Sequence, residues 1–326
     1  MLEQTFFCIR PYIFEKREMI KKIISNSELV IKESKIIWLA QDDIRVIYEH
    51  EEPSAYFDAN LYFMTKGFSE AGIIEGEDVM SRLIEVASST HIPSESGPTT
   101  LRAIFGKTNP VDFNGFNYYL NPLHRSCTKQ EVEATTSFYW NTLKKRTPVE
   151  IISDMMWKLH YDKNLECVYE YHIKMVVQIA LELCDEFGGD KKVVELATWL
   201  HDIASLKSNK KHEHHIEGAN DVEKILKLLG YGNEIIQNVK YCIQSHRGSK
   251  ALAKMTQEAD IVCSADGLAN LHYAPLLYFF AFKIGRLGFI EGIEKIKRKV
   301  ESSYMKIGNF AKYKAKTDYE AWKNLL

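Results

Sequence analysis

No uninterrupted apolar run among the 326 residues approaches the roughly 20 needed to cross a bilayer, and the nearest, 276–282, gives way to Lys283 and Arg286. The chain also lacks the charged start and apolar core of a signal peptide, because it opens directly into a strand-like segment. A cytoplasmic protein without a membrane partner is expected. Charge of either sign is not in excess: 42 Lys+Arg against 44 Asp+Glu give a formal net charge of -2, so the polyelectrolyte signature of a nucleic-acid binder is missing. The six cysteines Cys8, Cys127, Cys167, Cys184, Cys242 and Cys263 contain no CxxC pair. That argues against structural zinc and, in a chain this long, for reduced thiols rather than a disulfide framework. Internal repeats and low-complexity segments are absent as well. What remains is ordinary globular composition, 45% apolar and 26% charged, with a length that fits two domains of about 150 residues each.

The most informative stretch is 197–203, Ala-Thr-Trp-Leu-His-Asp-Ile. An apolar helical run through Val193, Val194, Leu196, Ala197 and Leu200 ends in two adjacent ligand-type side chains, His201 and Asp202. Neighbours on a helix sit about 100° apart, so the two cannot share a face, yet both can flank one small ion. His172 stands upstream in its own apolar-periodic segment; His214 and His215, His246 and Asp266 follow downstream. A single histidine on an apolar face is more often a satisfied core residue than a ligand. A set in the order His, His-Asp, His, His, Asp reads instead as a metal site. Mixed imidazole and carboxylate donors suit Mn, Fe, Co or Zn better than Ca, with Mg also admissible, as one ion or two.

Residues 1–145 alternate strand and helix patterns. A strand ends at Arg10-Pro11, helical spacing runs over 14–24, alternation over 30–39, and a helix over 42–50. An apolar segment at 62–64, a strand ending at Gly76, a helix from Glu77 to Val86 and a Ser/Thr/Pro/Gly-rich loop over 88–100 follow. Several motifs of this half, taken in order, carry a resemblance: Ile9-Arg10-Pro11, Tyr48 through Tyr56-Phe57 to Met64-Thr65-Lys66-Gly67, the Gly76 turn, 99–106, and Asn121-Pro122-Leu123-His124-Arg125-Ser126. Together they resemble the nucleoside diphosphate kinases over most of residues 4–143. The resemblance implies a ferredoxin-like (βαββαβ) fold, a homo-oligomer formed through this domain, and phosphoryl transfer through a phosphohistidine. It places the nucleophile at His124 and nucleotide contacts at Arg10, Tyr48, Tyr56, Thr90, Arg102 and Asn121. The pattern also departs from the family. Arg10 replaces a lysine, Arg125 and Cys127 replace a glycine and an aspartate, and Thr135 stands where a glutamate should orient the histidine ring, with Glu133 near but off register. Arg82 is a poorly aligned substitute for a further phosphate-binding arginine. An aromatic-rich insertion at 111–119 lengthens the approach to His124.

Residues 150–326 follow a break at Thr147-Pro148 and read as helical almost throughout: 151–160, 165–187, 192–206, 216–229, 234–245, 257–269 and further helices to the end. His172, His201-Asp202, Gly218-Ala219, the segment 245–250 and Asp266 resemble the HD-domain metal phosphohydrolases over 165–270. The resemblance implies an all-α bundle in which the first His, the His-Asp pair and the last Asp hold a divalent metal, with His246 and one of His214 and His215 available for a second. Asp202 is then the natural bridge, and Lys207, Arg247 and Lys250 are candidates to meet substrate phosphate. His160, His212 and His272 are expected to have no role. The expectation is a two-domain α+β and all-α protein acting on nucleotides, in which the second domain hydrolyses a phosphoester or phosphoanhydride. The alternatives are an active kinase at His124, or a nucleotide-sensing oligomerisation module that regulates the helical domain.

Overall fold

The computed structural model describes residues 2–207, 214–246 and 255–326, the side chains of 214–219 excepted. It divides the chain into two compact units, Met1–Lys158 and Leu159–Leu326.

The first unit has six strands, β1 (Glu3–Ile9), β2 (Val30–Trp38), β3 (Phe68–Gly76), β4 (Val111–Phe113), β5 (Phe116–Tyr118) and β6 (Leu123–Arg125). Four of them form an antiparallel sheet in the order β2-β3-β1-β6, the ferredoxin-like arrangement. The central strand β1 is buried from Thr5 to Ile9, so it reads as a continuous apolar run rather than an alternating one. Phe7 and Ile9 pack with Ile20 and Ile24 of the helix Arg17–Ser25 and with Leu83 and Ala87 of the helix Val79–Ala87. Each such side chain contributes about 1.5–3 kcal/mol by leaving water. Because side chains alternate along a strand, Phe6 and Cys8 take the opposite face. Cys8 is registered against His124 on β6, which fixes the face of the sheet that His124 occupies.

Three details differ from the sequence pattern. The apolar segment at 62–64 is the end of a helix, Ala55–Met64, started by Ser54, whose Oγ accepts from Phe57 N at 3.0 Å. The insertion at 111–119 is a hairpin of β4 and β5, turned through Asn114 (φ 52°) and Gly115 (φ 81°). Two successive positive φ angles are what a tight hairpin turn requires, and Asn-Gly supplies them at low strain. Thr147 and Glu150 cap the helix Pro148–Tyr161 reciprocally, Glu150 Oε2 accepting from Thr147 N at 2.6 Å and Thr147 Oγ1 from Glu150 N at 3.2 Å.

The second unit is helical. The helix Lys174–Phe187 packs on Lys191–Leu200 and on Gln257–His272, which in turn contacts Asn233–Ser245 and Phe289–Lys306. Asp190 and Thr256 cap two of these: Asp190 Oδ1 accepts from Lys192 N at 2.9 Å and Thr256 Oγ1 from Ala259 N at 3.2 Å. The expected single helix over 192–206 is interrupted. Lys191–Leu200 stops, His201 and Asp202 form the turn, and Ile203–Lys207 resumes. Likewise a π-type turn, Tyr169–Ile173, lies within the expected helix 165–187 and carries His172. Such turns recur at functional sites because they re-aim a side chain within a helix.

Candidate metal centre and nucleotide cavity

In the helical unit, His172, His201 and Asp266 bring one potential ligand atom each to within 4.8 Å of the others, and all three are buried. Asp202 sits among them, a third exposed. Its Oδ2 lies 3.4 Å from His201 Nε2 and 4.0 Å from His172 Nε2, while Oδ1 lies 3.9 Å from His246 Nε2. The two oxygens of one carboxylate thus address two groups of histidines. His201 Nδ1 meets the carbonyl of Thr198 at 2.6 Å, and His246 Nδ1 meets that of Ile243. In both rings Nδ1–H donates to a carbonyl of the preceding helical turn, which directs Nε2 inward. His201 Nε2 is buried without a hydrogen-bond partner, since Asp202 Oδ2 lies outside bonding geometry.

Electrostatics sorts these groups. Burial pulls the His172 and His246 imidazoles down to about 4, so both are neutral donors at pH 7. Burial also acts on His201, but the Asp202 and Asp266 carboxylates outweigh it and lift the ring to about 9; a metal bound there would replace a proton. Burial raises the Asp266 carboxyl, yet Lys306 and Lys299, with the histidines, hold it well below the usual range. Asp202 is likewise held down by the three histidines against the effect of burial. Asp266 is doubly tethered: Asn270 Nδ2 donates to its Oδ1 at 2.8 Å, and Lys306 Nζ pairs with Oδ2. The tether depends on Gly267. A Cβ there would meet Ser303 O at 2.7 Å, so a larger residue would push the helix Phe289–Lys306, and Lys306 with it, away from Asp266.

In the first unit, a cavity of about 380 Å³ is lined by Arg10, Tyr48, Tyr56, Arg102, His124 and Arg125, among others. His124 is 5% exposed; its ring stands edge-on to Tyr48 with centroids 4.6 Å apart, and its Nε2 faces Glu131 Oε1 at 3.8 Å. Burial, then the charges of Arg10, His50, Arg125 and Arg102, hold the His124 imidazole well below its ordinary 6.5. The ring is therefore neutral at pH 7, and its buried Nε2 has no hydrogen-bond partner, the Glu131 carboxylate standing beyond bonding distance. Arg10 donates through Nη2 to Tyr48 OH at 2.9 Å and through Nη1 to Tyr118 OH, which donates to Asn60 Oδ1 at 2.6 Å. The hairpin insertion thus ends as a brace for Arg10. Arg102 reaches the carbonyls of Ser88 and Thr90, and Arg125 donates to Ser88 O at 2.9 Å and to Cys127 Sγ at 3.0 Å.

Residues 3–144 match the family model for nucleoside diphosphate kinase, and residues 169–271 match that for the HD domain. The chain is a nucleoside diphosphate kinase-like domain fused to an HD domain. Nucleoside diphosphate kinases of Methanocaldococcus jannaschii and Pyrococcus furiosus are each 28% identical to it, over 143 and 169 residues, spanning 43% and 51% of this chain and 94% and 98% of theirs. The solved structure of the Aquifex aeolicus nucleoside diphosphate kinase is 21% identical with a TM-score of 0.37, covering 44% of this chain and 98% of that one.

Within the kinase-like domain the structure gathers Arg10, Tyr48, Tyr56, Arg102 and His124 around one cavity. Thr90 and Asn121 are not among its lining residues. The Thr90 hydroxyl accepts from Ile92 N at 3.2 Å, and Asn121, fully buried, donates to His91 O at 3.2 Å while its Oδ1 has no partner. Arg82 pairs with Glu28 at 2.8 Å on the surface. Thr135 is buried against Ser126 and Glu133 is exposed, whereas Glu131, which sequence reasoning passed over, faces His124. Its signal was the Thr128-x-x-Glu131 helix start, an N-terminal signature that turns the glutamate back toward the preceding residues.

Within the HD domain, His172, His201, Asp202, His246 and Asp266 converge. Lys207 pairs with Asp221 at 3.3 Å. The side chains of His214 and His215, and the residues His212, Arg247 and Lys250, lie outside the described residues. His160 packs on Tyr169, and His272 pairs with Asp318. Lys306, Lys299 and Asn270 were missed. Among the described residues no helix is long and apolar enough to cross a membrane.

Proposed function

We propose that this protein is a nucleotide-acting, metal-dependent phosphohydrolase, with the HD domain as its catalytic part and the kinase-like domain as a nucleotide-binding part. The observation that carries the proposal is the convergence of His172, His201 and Asp266, all buried and each bringing a potential ligand atom to within 4.8 Å of the others. Beside the Asp202 and Asp266 carboxylates the His201 ring holds a proton on Nε2, and a divalent ion would take the place of that proton. His172, His201, Asp202 and Asp266 would hold the ion. Asp202 turns one oxygen toward His172 and His201 and the other toward His246, so His246 and Asp202 would be the residues to hold a second ion. Manganese, iron, cobalt, zinc or magnesium suits this donor set. Bound there, the metal supplies Lewis-acid activation of water and of a phosphoryl oxygen. The residues themselves fix the ring tautomers through Thr198 and Ile243 and keep the carboxylates ionised. The test is turnover of mono-, di- and triphosphate nucleotides and dinucleoside polyphosphates by metal-loaded wild type and Asp202→Ala, with products resolved by chromatography. Cleavage abolished in the variant supports the proposal; no cleavage of any nucleotide by the metallated wild type sinks it.

A second reading, phosphoryl transfer at His124, is favoured by the neutral ring set between Tyr48 and Glu131. There the γ-phosphorus to oxygen bond of a nucleoside triphosphate breaks, a phosphorus to nitrogen bond forms on His124, and the nucleoside diphosphate leaves. A phosphorylated protein that disappears in His124→Ala supports it; an unlabelled wild type rules it out. Under either reading we place the protein in the cytoplasm as a homo-oligomer assembled through residues 1–145, with 150–326 as the phosphohydrolase domain and nucleotide rather than nucleic acid as partner.

A further inference from the structure

The helix Phe289–Lys306 brings a cationic face to the metal cluster. Its buried residues Ile296, Val300 and Ser303 mark the stripe packed toward the helix Gln257–His272. Lys299 and Lys306 border that stripe, seven residues apart and so on one side of a helix with 3.6 residues per turn. Lys306, its side chain 10% exposed, pairs with Asp266 Oδ2, while the charge of Lys299 bears on both His172 and Asp266. Between them Ser303 is 1% exposed, and its Oγ has no hydrogen-bond partner. Lys306 thus touches a ligand, and Lys299 lies two helical turns away on the same side of the helix, with Ser303 between them in sequence.

We propose that Lys299 and Lys306 form the phosphate-binding side of the HD centre, receiving a phosphoryl dianion of the substrate next to the metal ligands. This rests on the reading of the cluster as a divalent-metal centre. An ammonium carries three donors, so the contact of Lys306 to Asp266 Oδ2 leaves its geometry compatible with a phosphate oxygen as well. Lys299, exposed on the helix, is placed for capture, whereas Lys306, largely buried and paired with Asp266, is placed for orientation. A purely structural Lys306 would act on Asp266 alone and would give Lys299 no part.

The experiment uses the full chain loaded with Mn(II) and inorganic phosphate as the probe, with phosphate binding read from paramagnetic broadening of its phosphorus-31 resonance and Mn(II) affinity read separately by electron paramagnetic resonance. Charge-assisted hydrogen bonds of this kind predict roughly tenfold weaker phosphate binding in Lys299→Gln and in Lys306→Gln, with binding kept in Lys306→Arg. Mn(II) affinity in Lys299→Gln should not fall, because removing a cation near the ligands does not weaken their hold on an ion of the same sign. Should Lys306→Gln fail to fold, the exposed Lys299→Gln and the charge-keeping Lys306→Arg still decide the matter. Phosphate binding equal to wild type in Lys299→Gln, or no broadening of phosphate by the wild type, overturns the proposal. Lysine-dependent phosphate binding without turnover of any nucleotide would sink the hydrolase reading and leave the subsite standing. Turnover with an unchanged KM in Lys299→Gln would do the reverse.

Discussion

Replacing His124 with Asn removes a titrating group whose folded and unfolded pKa values differ, so the pH dependence of stability must change in a defined way. Burial and the surrounding arginines hold the folded imidazole well below 6.5, whereas the unfolded ring titrates near that value. Between the two, the unfolded state binds the extra proton, so stability rises with pH. The contribution is complete above about pH 6.5 and is lost progressively as pH falls below it, with a slope approaching about 1.4 kcal/mol per pH unit. His172 and His246 titrate in the same direction but are present in both proteins, so the difference between wild type and His124→Asn isolates this residue. Urea unfolding of both proteins from pH 5 to 8, followed by fluorescence, should give wild-type stability that falls faster with acidification than that of the variant. Parallel curves below pH 6.5 would show that the ring is solvated, and the argument for a neutral nucleophile at His124 would go with it.

Glu131→Gln should lower the rate of phosphohistidine formation about tenfold, equivalent to ~1.4 kcal/mol, without unfolding the domain. The amide can still accept from Cys127 N, and rapid-quench labelling reads the rate. Tyr118→Phe strips Arg10 and Asn60 of a buried partner and should cost about 1–3 kcal/mol in urea unfolding. Chelation of a metal-loaded sample should destabilise the HD domain; at a free metal concentration of 100 Kd the ion contributes ~2.7 kcal/mol, and His201→Ala should abolish that metal-dependent shift in Tm.

The clustering of His172, His201 and Asp266 was legible in the sequence because each ligand-type residue interrupts an apolar periodicity, and such interruptions are costly without a purpose. The βαββαβ order was legible for a similar reason: strand and helix periods differ, and β1 is apolar throughout. The break at His201-Asp202 was not, since no glycine or proline announces it; Leu200 and Ile203 are equally at home in a continuous helix. Lys306 and Lys299 read as ordinary residues on the polar side of an amphipathic helix, and only the close approach permitted at Gly267 makes Lys306 a neighbour of Asp266. Glu131 was obscured by looking eleven residues past His124, where Thr135 stands. The turn at the start of the helix Lys129–Phe138 brings a residue seven positions on to the ring instead.

The hydrogen bond from His201 Nδ1 to the Thr198 carbonyl ties a proposed metal ligand to the last turn of a helix. Under that proposal, occupancy of the centre and the winding of that turn would be one coupled equilibrium: an ion held by Nε2 would also resist fraying at 198–202, and fraying there would release it. Hydrogen exchange at these backbone amides would report metal binding from within the main chain, and a substitution that loosens the turn without touching any ligand would weaken the affinity for the ion by the same free energy.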